Sequence, residues 1–226
     1  MPRGLFVTFE GIEGTGKSTQ VALAAERLSR RGMATLVTRE PGGTPLGESL
    51  RALLLGRREA GSDPLVETLL MVADRAEHVR AVIRPGLAQG KVVLCDRHAD
   101  ATVAYQGGGS GVDLQKIAEW NRLATGGLVP DLTVLLDLPP AHAVERLEAR
   151  AKALDRFESE PVSFFERVRR TYLDLAAASP QRWLVLAAES PSEELAERIE
   201  AEILRRLPRQ APTGVGFPKT DRKSVV

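Results

Sequence analysis

Gly11-Ile12-Glu13-Gly14-Thr15-Gly16-Lys17-Ser18 has the spacing G-x-x-x-x-G-K-[ST]. Glycines at those positions let the backbone wrap so that successive N–H groups face one centre, where the oxygens of a polyphosphate can lie. Lys17 can reach the β- and γ-phosphates, and the Ser18 hydroxyl can be offered to Mg²⁺. The context agrees. Leu5–Phe9 is a β-favouring apolar run ahead of the loop, and Ser18–Arg31 behind it carries Val21, Ala24, Ala25 and Leu28 at helical spacing before Gly32. Such a strand, loop and helix bind a nucleoside triphosphate.

A second acid is needed to help hold the metal, and Asp96, closing an apolar strand, has that character. Asp137 closes another strand and competes with it, or serves as a cap before Pro139-Pro140. Asp96 is favoured because Arg97 follows it and places a cation beside the phosphates. The phosphoryl acceptor comes next. No His-Arg-Asp pattern supplies a base for a hydroxyl acceptor. A phosphate monoester needs none, because its second pKa is about 6 and it is already dianionic at neutral pH. It needs cations instead, and Arg39, Arg51, Arg75 and Arg97 recur in the turn regions.

Short apolar runs alternate with amphipathic ones along the whole chain. Strands are expected at Leu5–Phe9, Ala34–Thr38, Lys91–Asp96, Leu132–Asp137 and Trp183–Leu186. Helices are expected at Ser18–Arg31, Leu46–Leu55, Pro64–Ile83, Asp113–Ala124, Pro140–Leu154, Ser163–Ala178 and Pro191–Leu207. Ser163 with Glu166, and Ser190 with Glu193, have capping-box spacing. Five strands with both-faces-buried composition, separated by helices, predict an α/β fold with a five-stranded parallel sheet flanked on both faces. Residues 1–207 read as one domain, and the Pro- and Gly-punctuated stretch 208–226 as a disordered tail. Gly107–Gly111 reads as a flexible connection, Cys95 as a small buried hydrophobe, and Trp120 and Trp183 as core residues.

The composition excludes several classes. The chain has 226 residues, 27% of them charged and 43% hydrophobic, as a globular protein with a sizeable core has. A net charge of +1 gives no strong attraction to nucleic acid or to an anionic membrane. No run approaches the ~18 apolar residues of a membrane span. One cysteine makes no intramolecular disulfide, which fits a reducing, cytoplasmic location. The three histidines show no metal-ligand spacing with the cysteine or with each other.

Four further stretches carry a resemblance: Thr38-Arg39-Glu40-Pro41-Gly42-Gly43-Thr44, Asp96-Arg97-His98, Ala104-Tyr105-Gln106-Gly107 and Pro130-Asp131-Leu132-Thr133. Together with the Gly-rich loop, and in this order, they resemble the bacterial thymidylate kinases, over roughly residues 4–207. The resemblance implies a homodimer and the reaction ATP + dTMP → ADP + dTDP. It implies that Arg97, helped by Arg51, binds the acceptor phosphate, and that Arg75 and Gln106 meet the thymine edge with Thr102 beside it. It places Glu13 near the deoxyribose 3′-hydroxyl or the metal, and Tyr105 where a ribose 2′-hydroxyl would need space.

Two positions depart from the family pattern. Met71 stands where a stacking Phe is usual, giving up ring stacking worth ~1 kcal/mol. Ala101 stands where Ser is frequent. Members of the family carry a cation in the loop or bring one from a mobile lid; positions 12–15 hold none here, and the cation-rich stretch near 146–158 resembles that lid, with Arg150 the first candidate and Lys152 and Arg146 beside it. Arg156 can anchor the lid or reach the nucleotide. Two other functions compete. A deoxynucleoside kinase would need a carboxylate base for a 5′-hydroxyl, and Glu40 or Glu13 could nominally serve. A guanine-nucleotide switch would need Asn-Lys-x-Asp, whose nearest imitation is Pro218-Lys219-Thr220-Asp221 in the tail.

Overall fold

A computed structural model describes residues 4–56, 63–149 and 155–207. The expected tail lies outside the described residues, as do Arg150 and Lys152. Five strands, β1 (Leu5–Glu10), β2 (Thr35–Arg39), β3 (Val92–Asp96), β4 (Leu132–Asp137) and β5 (Trp183–Ala187), form one sheet in the order β2-β3-β1-β4-β5. Every pairing is parallel. The expected fold class is therefore the observed one.

Period-2 alternation explains why these strands are almost continuously apolar. Leu5, Val7 and Phe9 of β1, with Val92 and Leu94 of β3, point into a core beneath α1 (Lys17–Arg30), α8 (Val162–Ala178) and α9 (Ser192–Arg206). Phe6, Val93 and Cys95 point to the opposite face, where Val79, Ile83 and Leu87 cover them. Cys95 is fully buried, and burial pushes its thiol well up. The expected small hydrophobe is there.

The remaining helices are α2 (Pro45–Leu55), α3 (Pro64–His78), α4 (Arg84–Ala88), α5 (Ala99–Thr102), α6 (Leu114–Thr125) and α7 (Pro140–Glu148). Several boundaries differ from expectation. Helix α3 does not stop before Pro85; it passes through a π-helical turn, Val79–Ile83, into α4, where Pro85 occupies a first-turn position that needs no N–H partner. Neither capping box forms. Pro161 and Pro191, in extended conformation, start α8 and α9, which leaves Ser163 inside the first turn and Ser190 outside the helix. Gly107–Gly111 is not a flexible connection. Val103–Gly109 is a π-helical segment, and a Cβ on Gly108 would lie 2.0 Å from Thr171 Oγ1 and one on Gly109 2.5 Å from the Phe164 ring. Those glycines let the segment lie against α8. Trp183 is buried as expected, but Trp120 is only half-buried, because α6 turns Ile117, Asn121 and Thr125 inward.

Register places the chemistry. Phe9 and Arg39 both stand beside Asp96 across the sheet, so the C-terminal ends of β1, β2 and β3 align along one edge. Ligands in open parallel sheets bind at that edge.

Candidate functional site

A cavity of about 510 Å³ opens over these strand ends. At its centre the loop after β1 turns through Gly11, Gly14 and Gly16 at φ 138°, 72° and 87°, values that glycine alone reaches without strain. Helix α1 begins at Lys17, so its unpaired N–H groups and the positive end of its dipole face the cavity. Ile12 and Thr15 form the underside of the loop: Ile12 is core, and the Thr15 hydroxyl donates to the Ile12 carbonyl at 3.0 Å. The Lys17 ammonium donates to the Gly11 and Ile12 carbonyls at 3.1 and 2.7 Å. Burial first, then Arg97, brings its pKa down to about 8, against Glu13, Asp96 and Glu10. A bound polyphosphate would add countercharge to that of Glu13, 3.8 Å away, and so favour the charged lysine.

Ser18 Oγ donates to Asp96 Oδ2 at 2.6 Å, so the two expected metal-site residues do come together. Asp137 instead pairs with Arg169 at 2.6 Å, which removes it from the competition. A hydroxyl and a carboxylate beside a phosphate loop suit Mg²⁺, which uses one or two carboxylates plus phosphate oxygens and water. Among the described residues no cluster of three or more His, Cys, Asp or Glu offers a metal cage.

Arg97 shares two partners with Lys17, the Gly11 carbonyl and Glu13 Oε2. Its guanidinium donates to Glu13 Oε2 at 2.6 Å, Tyr105 Oη at 3.0 Å, the Gly11 carbonyl at 2.9 Å and Tyr172 Oη at 3.3 Å. Its backbone is in the left-handed region, φ 70°, which costs a non-glycine residue about 1–2 kcal/mol. That turn persists because both flanking amides are captured: Arg97 N–H by the Phe9 carbonyl and His98 N–H by Glu10 Oε1. Burial would raise Glu13, but Arg97 and then Lys17 hold it below the usual carboxylate range. Arg51 donates to the Pro41 carbonyl at 2.9 Å, and Arg39 is held by Glu48. Burial, then Arg39, lowers Arg51. Arg39, Arg51 and Arg97 thus all line the cavity.

Met71, Arg75, Thr102 and Gln106 line it as well. Arg75 is fully buried, and its Nη2 donates to Thr102 Oγ1 at 3.0 Å. Gln106 is buried with Nε2 lacking a partner among the described residues, so it has a donor to offer a ligand. Arg146 lies 3.4 Å from the Gly14 carbonyl and 3.1 Å from that of Ala188. Arg156 makes an ion pair with Glu67 of α3 at 2.6 Å. Phe157 beside it packs edge-on against Tyr105.

Sequence reasoning missed the groups behind these. Asn121, Glu10 and Tyr172 were not singled out, and Glu40 was considered only as a base. Both Glu40 oxygens accept hydrogen bonds from buried side chains, His78, His98 and Arg75, which leaves it unsuited to that task. Glu10 and Tyr172, 162 positions apart, share a 2.8 Å bond that no local pattern signals.

Glu10 carries a pH prediction. Burial, then Asp100, pushes its carboxyl from 4.5 up to about 8, against Arg97 and the bonds from Tyr172 and His98. The folded chain thus holds the extra proton across that window. The contribution of Glu10 to stability is complete below pH 4.5 and is lost as pH rises through about 8. Glu10→Gln mimics the protonated form, so its Tm should fall less than the wild-type Tm between about pH 5 and pH 8. Parallel Tm profiles would refute a protonated Glu10.

Comparison with known proteins matches this arrangement to one group. The sequence model described as thymidylate kinase matches residues 9–199. A thymidylate kinase of Synechococcus sp. is 53% identical over 204 residues, covering 90% of this chain and 96% of that protein. One from Deinococcus radiodurans is 49% identical over 206 residues, covering 91% and 99%. The crystal structure of thymidylate kinase from Ehrlichia chaffeensis superimposes with a TM-score of 0.73 at 36% identity, covering 90% of this chain and 100% of that one.

Proposed function

The chain belongs to the thymidylate kinase family, and on that basis we propose that its site transfers the γ-phosphoryl of ATP to dTMP, giving ADP and dTDP. The observation that carries the reading is that Lys17 and Arg97 line one cavity and both reach Glu13 Oε2, at 3.8 and 2.6 Å. The loop N–H groups and Lys17 hold the triphosphate, and Arg97 with Arg51 holds the phosphate of dTMP. An oxygen of that phosphate attacks the γ-phosphorus while the bond to the β-bridging oxygen breaks, its electron pair leaving with ADP. No base is required, because the attacking oxygen carries no proton.

Mg²⁺ is the metal assigned to Ser18 and Asp96; when bound it neutralises charge on the transferring phosphates. Arg75 and Gln106 present donors to the carbonyl oxygens of thymine, Met71 and Thr102 flank the base, and Glu13 accepts from the 3′-hydroxyl. Tyr105 occupies the space a 2′-hydroxyl would need. Residues 1–207 act as one domain whose lid, near 146–158, supplies a cation from Arg146, Arg150 or Lys152. The arrangement of two copies as a homodimer is supported by apolar side chains left exposed on α2 and α3, among them Leu46, Leu65, Val66 and Leu69. A cytoplasmic location agrees with the free, buried Cys95. No described helix is long and apolar enough to cross a membrane, and the net charge of +1 supports no nucleic-acid partner.

An acceptor panel tests the reading. ADP release should be fast with dTMP and at least about 10²-fold slower with thymidine, which lacks the dianion that Arg97 is built to hold. Faster turnover of thymidine would move the chain to the nucleoside-kinase reading.

A further inference from the structure

Arg75 is held from four directions although it is fully buried. Its Nε donates to Glu40 Oε2 at 2.9 Å, Nη1 to Asn121 Oδ1 at 2.6 Å, and Nη2 to the His98 carbonyl at 3.2 Å and Thr102 Oγ1 at 3.0 Å. A guanidinium has five N–H groups, so one, on Nη1, is left without a partner among the described residues. Three of the four acceptors are neutral. Glu40 alone among the described residues supplies a countercharge in an ion pair with Arg75.

Glu40 is itself fixed. Its Oε1 accepts from Nδ1 of both His78 and His98, at 2.9 and 2.8 Å, and its backbone N–H donates to the Asp96 carbonyl. An ionised carboxylate has no proton to give, so both imidazoles must donate from Nδ1. His78 Nε2 in turn meets the Thr38 hydroxyl at 2.6 Å. The carboxyl group is held well below its usual range, since its bonds to His98, Arg75 and His78 outweigh burial. Asp74, the other acid nearby, turns instead to the Gly42 N–H at 3.0 Å. The environment of Glu40 thus consists of three donors converging on two oxygens.

We propose that Glu40 is the positioning residue for Arg75, orienting its single uncommitted N–H toward the 4-oxo oxygen of the pyrimidine and so setting discrimination against a 4-amino base. The proposal rests on the reading that Arg75 meets the base. An arginine offers only donors, and thymine differs from cytosine at position 4 by an acceptor in place of an amino donor. A donor pointed there separates the two bases only if it cannot swing away. A carboxamide at position 40 has one acceptor oxygen and one donor group. Placed among three donors, it either turns N–H against Arg75 Nε or forces both imidazoles to move their protons to Nε2, which at His98 has no partner among the described residues.

The test is steady-state kinetics with dTMP and dCMP on Glu40→Gln, Arg75→Met and the double variant. Glu40→Gln should raise KM for dTMP roughly tenfold to hundredfold, the scale of a lost hydrogen bond to a charged group. Its dTMP-over-dCMP preference in kcat/KM should fall in parallel, while KM for ATP stays within about twofold and kcat moves less than KM. The double variant should be no less selective than Arg75→Met alone, because Glu40 acts only through Arg75. Glu40→Asp keeps the charge and shortens the arm; it guards against a folding defect in Glu40→Gln and should also lose selectivity. Wild-type selectivity in a folded Glu40→Gln or Glu40→Asp, with Arg75→Met impaired, would overturn the proposal. If Arg75→Met itself keeps the wild-type KM and selectivity, the assignment of Arg75 to the base is what fails.

Discussion

Lys17→Met is expected to lower kcat by about three orders of magnitude or more while the protein remains folded. The ammonium sits inside the loop on the Gly11 and Ile12 carbonyls, within reach of any phosphate laid over the N-terminus of α1. It is the buried cation of the Gly-rich loop, because Ile12, Glu13, Gly14 and Thr15 contribute none. Charge that develops on the transferring phosphoryl meets it without reorganisation, and losing one such group costs about 10²–10³ in kcat even for a neutral donor. Stability should respond far less. The variant loses two hydrogen bonds to carbonyls but also sheds a desolvated charge whose pKa burial has brought down to about 8. Thermal melts beside turnover with dTMP separate the two effects. Wild-type kcat in a folded Lys17→Met would remove the loop lysine from the mechanism.

Arg97→Lys should cost about 10²–10³ in kcat/KM for dTMP although the charge is kept. Arg97 spreads its contacts over Glu13, Tyr105, Tyr172 and the Gly11 carbonyl from two nitrogens. A lysine is a point charge that cannot present a planar fork to two phosphate oxygens. The backbone gives no confounding term, since both residues incur the same cost at φ 70°. KM for ATP should stay near wild type, because the triphosphate is held from the β1 side. Equal losses toward ATP and dTMP would mean that Arg97 supports the loop more than the acceptor.

Local chemistry made much of this legible. The Gly-rich loop declares itself because its spacing is a requirement of backbone geometry. Asp96 stands out over Asp137, which also ends an apolar strand, because Arg97 follows it. The strands are readable because burial on both faces leaves continuous Val and Leu. What escaped is long-range. Tyr172 reaches Glu10 across 162 positions, and Arg75 finds Asn121 46 positions away. Neither pairing leaves a periodic trace. Glu40 was visible only as a nominal base for the competing kinase: a glutamate in a turn looks free until the fold brings two imidazoles and a guanidinium onto it. The capping boxes failed because Pro161 and Pro191 set the helix starts before any side chain could. Glycines at 107–109 read as freedom and proved to be close packing, a difference that depends on α8, more than fifty residues downstream.

The central claim is direct transfer between two nucleotides held at once by Lys17 and Arg97. A single-turnover experiment with γ-³²P-labelled ATP and dTMP tests it most directly. The label should appear in dTDP, one for each ADP formed, with none on the protein at any time and little as inorganic phosphate. Label retained covalently on the chain, or released mainly as inorganic phosphate while dTMP stays unlabelled, would contradict it.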